Sequence, residues 1–411
     1  IYDIKSMKNN KIAFLLPSYV GGGAEKVTDR IVSELKAEYD LDALLISASF
    51  TPESMAAAVE AGYTVETLDK PDGHYYSDAT TDEVIDILRR HDVTMLVMTV
   101  DMLKDVGRIR KAIPGISLIY HLHGRPLWEV SAKLVGSRRD VEKSGSRAKL
   151  AEWYLTKYAK EKLLGLYTHR YRRHYRQMYA GVDRFVVLCE GYRREVERIV
   201  GAGSADSRVV AMYNPLPSAA GNGDCMGSHG KTVLYVGRLS YNDKRVDRLL
   251  RIWAMVSVEH PDWTLKIVGD GPERASLEDM AVRLGITDTV KFCGYTADPS
   301  PYYAEASILC LTSEFEGWPL VLVEAQAAGV WPVAFGCSAG IRELIGDGGT
   351  RGSVVTPYSE NEYAATLSGL MSDPERIAAL RPAMIESTHR YAPEVIAGKW
   401  KDLFEEIESD K

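Results

Sequence analysis

The chain has 411 residues, roughly two to three times the usual single-domain length, so two domains are expected before any residue is read. Apolar residues make up 45% and charged residues 26%, a globular mix that excludes a largely disordered or collagen-like chain. With 50 Lys and Arg against 57 Asp and Glu, the net charge of −7 excludes a general attraction for polyanions such as DNA; any anion site has to be local.

Ile1 to Ser6 precede Met7 and are left aside. From there, short apolar runs alternate with helical patterns: Ile12–Leu16, a helix from about Ala24 to Ala37, then strands at Ala43–Ser47, Met95–Thr99, Leu118–His121 and Arg184–Leu188. The intervening helical stretches include Thr81–Arg90 and Gly191–Val200. Such alternation predicts a parallel sheet covered by helices. The pattern breaks at Asn214–Gly223, a run of Pro, Gly, Asn and Ser without apolar period, and restarts with strands at Thr232–Val236, Leu265–Val268, Val290–Phe292, Ile308–Leu311 and Pro332–Ala334. The expected organisation is a Rossmann-like domain over 7–212, a linker over 213–231, a second Rossmann-like domain over 232–392, and a last helix, 393–411, crossing back onto the first domain. Ligands of such open sheets bind beyond the carboxyl ends of the strands, in this case in a cleft between the domains.

The richest stretch is Glu316-Gly317-Trp318-Pro319-Leu320-Val321-Leu322-Val323-Glu324. Pro319 suits a first helical position and Gly329 a C-terminal cap, which places a helix over 319–328. Its leading amides, at Leu320 and Val321, lack intrahelical acceptors and offer an anion site, with Gly317 allowing close backbone approach. Glu324 is the one ionisable residue in an apolar helix, and paired ribose hydroxyls would satisfy it; the plainer alternative is a carboxylate bonded to a neighbour. Arg238 and Lys244, six apart across the turn-forming Asn242-Asp243, leave the first strand of the second domain, where both can meet one diphosphate. Taken alone, a basic loop is more often a solvated surface.

In the first domain Gly21-Gly22-Gly23-Ala24-Glu25 joins the opening strand to its helix, and Gly22 and Gly23 let a backbone approach a substrate or phosphate. Neither this loop nor Val268-Gly269-Asp270-Gly271 carries the dinucleotide fingerprint, which disfavours an NAD-dependent oxidoreductase. His121 and His123 alternate at a strand end and share a face. Metal ligation is one reading, but none of the other seven histidines is placed to complete a shell; contact of a neutral His123 with a sugar is preferred, with a structural pair as the alternative. Asp40 and Asp42 precede their strand and read as polar strand entry. The five cysteines, 189, 225, 293, 310 and 337, are sparse and odd in number; Cys189, Cys293 and Cys310 lie in or beside apolar runs and read as core residues in a reducing compartment.

Together these residues resemble a family 4 glycosyltransferase, a retaining, nucleotide-sugar-dependent group with the GT-B fold. Glu316 and Glu324, seven residues between them, match its paired-glutamate motif; Arg238 and Lys244 match its basic pair, Gly22-Gly23-Ala24-Glu25 its glycine loop, and Gly269-Asp270-Gly271-Pro272 a further common element. Trp318 departs from the more usual Phe, and Arg245 stands where a Gly commonly follows the Lys. The resemblance implies that Glu316 contacts the transferred sugar, Glu324 holds the ribose, Arg238 and Lys244 hold the diphosphate, and His123 lies beside the sugar. It also implies a hexosyl transfer from a nucleotide-sugar, a UDP-sugar first, to a glycan or lipid-linked glycan of envelope or exopolysaccharide synthesis, with no metal and no cofactor. The rival readings are a GT-B epimerase or phosphorylase, although no lysine is marked for a phosphorylase cofactor, and a non-catalytic partner subunit, against which the intact motif residues speak.

Between Arg125 and Ala180 there are fourteen Lys and Arg against five Asp and Glu, a local excess of +9. Within it Tyr167, Tyr171, Tyr175 and Tyr179 recur every fourth residue among Arg170, Arg172, Arg173 and Arg176. An anionic membrane surface or lipid-diphosphate acceptor and a docked helix with a solvated basic face are equally compatible with this pattern. Nucleic-acid binding has no recognised module to support it. The chain shows neither a bilayer-length apolar run nor a signal-peptide pattern, so a cytoplasmic protein is expected, peripheral to the inner face of the membrane if the basic segment docks there.

Overall fold

The structure is a computed structural model, and the residues described are 11–19, 23–69, 76–99, 101–203, 207–217 and 230–411. Gly22 and residues 218–229 of the expected linker lie outside them. The first sheet contains β1 (Lys11–Leu16), β2 (Asp42–Ser47), β3 (Thr64–Thr67), β4 (Met95–Met98), β5 (Ser117–Leu122), β6 (Arg184–Val187) and β7 (Val209–Ala211), in the order β3-β2-β1-β4-β5-β6-β7. The second contains β8 (Thr232–Val236), β9 (Thr264–Val268), β10 (Val290–Gly294), β11 (Ile308–Leu311), β12 (Trp331–Phe335) and β13 (Ser353–Val355), in the order β10-β9-β8-β11-β12-β13. All strand pairings are parallel. Both sheets are thus the expected doubly wound, Rossmann-like type, and their central strands are buried on both faces, as their unbroken apolar runs require.

In each sheet the strand order reverses beside the first strand: β1 lies between β2 and β4, and β8 between β9 and β11. Connections leaving the two strands at such a switch point run to opposite sides and open a crevice at their carboxyl ends. The loops after β8 and β11 carry Arg238, Lys244 and Glu316, so the topology alone brings these distant stretches to one place.

Packing divides the chain into two units, one formed by the residues up to Pro126 with 170–215 and 391–411, the other by 127–169 and 216–390. The helical stretch 127–169, expected in the first domain, is therefore corrected to the second unit. Its ties there are polar: Tyr241 donates to Glu142 Oε2 at 2.6 Å, and Arg139 reaches Asn242 Oδ1 at 3.4 Å and the Glu273 carboxylate. The final helix, Pro393–Ser409, packs in the first unit against the helix Gly23–Tyr39 and buries Trp400 and Phe404 completely.

Candidate active site

Above β8 the backbone is pinned before any side chain is placed. Gly237 N–H donates to Val268 O at 2.9 Å, Leu239 N–H to Asp270 O at 2.9 Å, and the buried Tyr235 hydroxyl to Arg238 O at 3.1 Å. Gly271 lies against this loop: a Cβ there would overlap the Leu239 carbonyl and stand 2.8 Å from its nitrogen. Glycine at 271 is required so that the loop after β9 can lie directly on the loop after β8. Arg238 then projects outward, its side chain 68% exposed, with Asp243 Oδ2 at 3.2 Å as its carboxylate partner.

Lys244 turns inward. Its Nζ lies 2.6 Å from Glu316 Oε1, which also accepts the Ser313 hydroxyl at 2.6 Å. Burial works to lower the Lys244 pKa, but the Glu316 charge and hydrogen bond outweigh it and raise it, against an opposing push from the Arg238 charge. Lys244 is therefore a cation throughout the neutral range, and it feels a second cation close by. Each of the two cations has a carboxylate beside it, Asp243 for Arg238 and Glu316 for Lys244.

Arg245 explains its own departure from the family pattern. It caps the helix Val246–Val256 in the left-handed region, φ 51°, where glycine is least strained. The side chain is fully committed: its guanidinium forks onto Asp247 at 2.9 Å twice, reaches Glu314 at 3.3 Å and stacks 4.3 Å from the Tyr241 ring centroid. These contacts offset the backbone cost, and the arginine is turned to its own helix start.

The expected helix over 319–328 runs from Leu320 to Ala327, with Pro319 as its N-cap rather than its first residue and Gly329, φ 74°, just past its end. Among the described residues the amides of Leu320 and Val321 have no hydrogen-bond partner, while Leu322 N–H already bonds Pro319 O at 3.0 Å. Glu316 and Gly317 lie immediately before this helix start. Glu324 is half-buried, and the phenol of Tyr303 donates to its Oε2 at 2.8 Å. Burial and the Glu324 charge hold the Tyr303 pKa far above its ordinary value, so the phenol remains a donor.

Ser313 and Tyr303 are the functional neighbours that motif reasoning misses. Ser313 had a signal: Thr312-Ser313 follows a wholly apolar strand and is 0% and 1% exposed, so its hydroxyls need internal partners. Tyr303 had none, because it comes from a separate six-residue helix, Ser300–Glu305.

In the first unit His121 and His123 share a face, as the strand alternation requires, with ring centroids 4.0 Å apart. His121 is 2% exposed and meets the Trp400 ring edge-on at 5.1 Å. Burial pushes the His123 imidazole down to about 4, and burial with the neighbouring His123 charge pushes His121 well down, so both are neutral near pH 7. Both His123 nitrogens are buried, and among the described residues neither has a partner. Gly23 opens its helix with no atom within 4 Å of where a Cβ would be. Nearby, Tyr19, Glu25, Asp29, Ser33 and Tyr63 line a cavity of about 290 Å³.

The arginine–tyrosine helix is Leu166–Gly181. Tyr175 is 3% exposed against Phe185, and the Tyr179 hydroxyl accepts from Arg208 N–H at 3.2 Å while its ring carries the Arg208 guanidinium at 4.5 Å. Tyr175 and Tyr179 are thus used in packing, whereas Tyr167 and Tyr171 are only half-buried. Arg170, Arg172 and Arg173 are exposed, and Arg176 Nε donates to Ile199 O at 2.9 Å. Of the cysteines, Cys189 and Cys310 are buried as expected, whereas Cys293 is only half-buried, being placed where β10 thins out at the sheet edge; Cys225 lies outside the described residues. No helix among the described residues is long and apolar enough to cross a membrane.

With this geometry in place, residues 227–388 match the family described as glycosyl transferases group 1. An uncharacterized glycosyltransferase of Haemophilus influenzae is 38% identical over 173 residues, 42% of this chain and 48% of that protein. The amylovoran biosynthesis glycosyltransferase AmsD of Erwinia amylovora is 34% identical over 172 residues, 42% of this chain and 47% of its own. The chain spans about half the length of these curated relatives. Among solved structures, Anabaena HepE in complex with UDP and glucose is similar with a TM-score of 0.69 and 18% identity, over 97% of this chain and 100% of that one; the fold is that of the GT-B glycosyltransferases.

Proposed function

We propose that the chain is a retaining glycosyltransferase of the family 4 type. It moves a sugar from a nucleotide-sugar, a UDP-sugar first, to a glycan or lipid-linked glycan in envelope or exopolysaccharide synthesis. The observation that carries this reading is the Lys244–Glu316 contact at the switch point of the second sheet, which joins the loop bearing Arg238 to the loop that leads into the open amides of Leu320 and Val321. The choice of UDP is supported by the UDP held in the HepE structure, and the polysaccharide setting by the named role of AmsD.

In the reaction the acceptor hydroxyl bonds to the anomeric carbon while that carbon's bond to the diphosphate breaks. The electron pair goes to the phosphate oxygen, and the hydroxyl proton passes to the departing phosphate. Arg238, Lys244 and the helix amides neutralise the growing charge without a metal ion or cofactor. Glu324, oriented by Tyr303, accepts the ribose hydroxyls. Glu316 is already paired with Lys244, which suits it to holding sugar hydroxyls rather than attacking carbon, and attack on the face the diphosphate leaves gives retention. A neutral His123 offers a hydrogen bond to the sugar.

The test is incubation of the full chain with UDP-, GDP- and ADP-sugars, reading thermal stabilisation and nucleotide release, with NMR of the product anomer. Donor-dependent stabilisation and release, strongest for UDP and with retained configuration, is expected. Neither effect with any donor overturns the reading.

A further inference from the structure

The helical insert of the second unit leaves a ridge of leucines in water. Leu155 is 78% exposed, Leu163 84%, and Leu164 and Leu166 57% each. Single exposed leucines need no explanation, but four within twelve residues do. The helices Arg147–Trp153 and Ala159–Leu164 are joined by a π-helical turn, Tyr154–Tyr158. An α-helix repeats a face about every seven residues, and a π turn adds about one, so Leu155 and Leu163, eight apart, return to the same side.

The ridge is built into the fold. Trp153 is 5% exposed and donates its indole N–H to Ser137 Oγ at 2.9 Å. Glu161 is 8% exposed and accepts from the amides of Tyr167 and Thr168 at 2.8 and 3.0 Å and the Thr168 hydroxyl at 2.7 Å, closing the left-handed turn at Gly165 that sets Leu166 beside Leu163 and Leu164. Around the leucines Lys157, Lys160 and Lys162 are exposed, as are Arg147 and Lys149. The acidic residues of this stretch are Glu152 and the buried Glu161. Apolar side chains ringed by lysines, whose stems lie along apolar matter while their heads stay in polar surroundings, are complementary to an anionic bilayer. A second copy of the chain is disfavoured, because a two-fold contact here sets lysines against lysines.

We propose that this insert docks the protein on an anionic lipid surface, with Leu155, Leu163, Leu164 and Leu166 entering the headgroup–acyl boundary and Lys157, Lys160 and Lys162 meeting lipid phosphates. The assignment goes beyond the transferase reading and does not rest on it.

The test is sedimentation of the full chain with phosphatidylcholine vesicles, with and without phosphatidylglycerol. Binding is expected with phosphatidylglycerol, weakening as salt rises. Replacing the four leucines by Asn should lower partition by about a hundredfold or more. Lys157→Gln, Lys160→Gln and Lys162→Gln together should cost about a hundredfold, confined to the anionic vesicles. Hydrogen exchange of the unaltered chain should show the 154–168 amides protected by vesicles, which keeps the test decisive if a variant folds poorly. A parent chain that stays in the supernatant, or binding unmoved by both variants, overturns the proposal. So does a leucine variant that alters oligomeric state by light scattering but not vesicle binding. Nucleotide release in solution should be unchanged in these variants, so loss of the transferase reading and loss of this one are separately visible.

Discussion

Lys244 and Glu316 stand 72 residues apart in the chain and share a 2.6 Å hydrogen bond at the switch point of the second sheet, with Ser313 on the same carboxylate oxygen. Each partner makes the other's burial tolerable. Lys244→Met leaves the Glu316 carboxylate with the Ser313 hydroxyl but without its counter-ion, and is expected to cost about 3 kcal/mol of stability. Adding Glu316→Gln should recover most of that loss in urea denaturation while nucleotide release stays abolished. If the double variant regains turnover with its stability, the pair is structural only.

Tyr303 fixes one oxygen of Glu324 and leaves the carboxylate aimed from the helix that follows β11. Glu324→Ala should weaken nucleotide binding by about 1–3 kcal/mol, the range for hydrogen bonds to a charged group. Tyr303→Phe should cost less, about 1 kcal/mol, because the carboxylate remains but loses its orientation. Dideoxy nucleotides should bind parent and variants alike. Calorimetry in which Glu324→Ala keeps full affinity for the ordinary nucleotide removes the ribose assignment.

Much of this site is legible in the sequence because its parts are local. The run from Glu316 to Gly329 declares a helix start, a cap and a lone carboxylate within fourteen residues, and Arg238 with Lys244 declares a basic loop at a strand end. What escapes is what arrives from elsewhere: Tyr303 on its short helix, and the placement of 127–169, whose ties through Arg139 and Glu142 no periodicity announces. The missed strands β3, β7 and β13 are all sheet edges of three or four residues, too short for an apolar run. Gly271 was legible as a special residue, while its close approach to the Leu239 backbone was not.

Arg238 is the exposed half of the cation pair, so its removal disturbs little else. Arg238→Ala should leave the denaturation midpoint within about 0.5 kcal/mol of the parent, as for a surface substitution. Turnover should fall by about 10- to 100-fold if the guanidinium acts mainly on the departing diphosphate. A raised donor KM with unchanged kcat would mean that it only binds. EDTA should leave activity intact in parent and variant; loss restored by magnesium or manganese would require a different mechanism of leaving-group stabilisation.

The buried histidines predict an acid-side loss of stability with a definite window. His123 titrates at about 4 in the folded chain against an ordinary value near 6.5, because burial disfavours its charged form. Between those values the unfolded chain binds the proton and the folded chain does not, so stability rises with pH across the window and is lost as pH falls through it. The full effect is on the order of 3 kcal/mol, reached near pH 4, and none of it acts above pH 6.5. His121, shifted in the same direction by burial and by His123, adds to the same slope. His123→Asn should therefore flatten the dependence of the urea midpoint on pH between about 6.5 and 4 relative to the parent. A His123→Asn profile parallel to the parent's throughout that range would show that His123 is protonated when folded, and the neutral hydrogen-bonding role assigned to it beside the sugar would go with it.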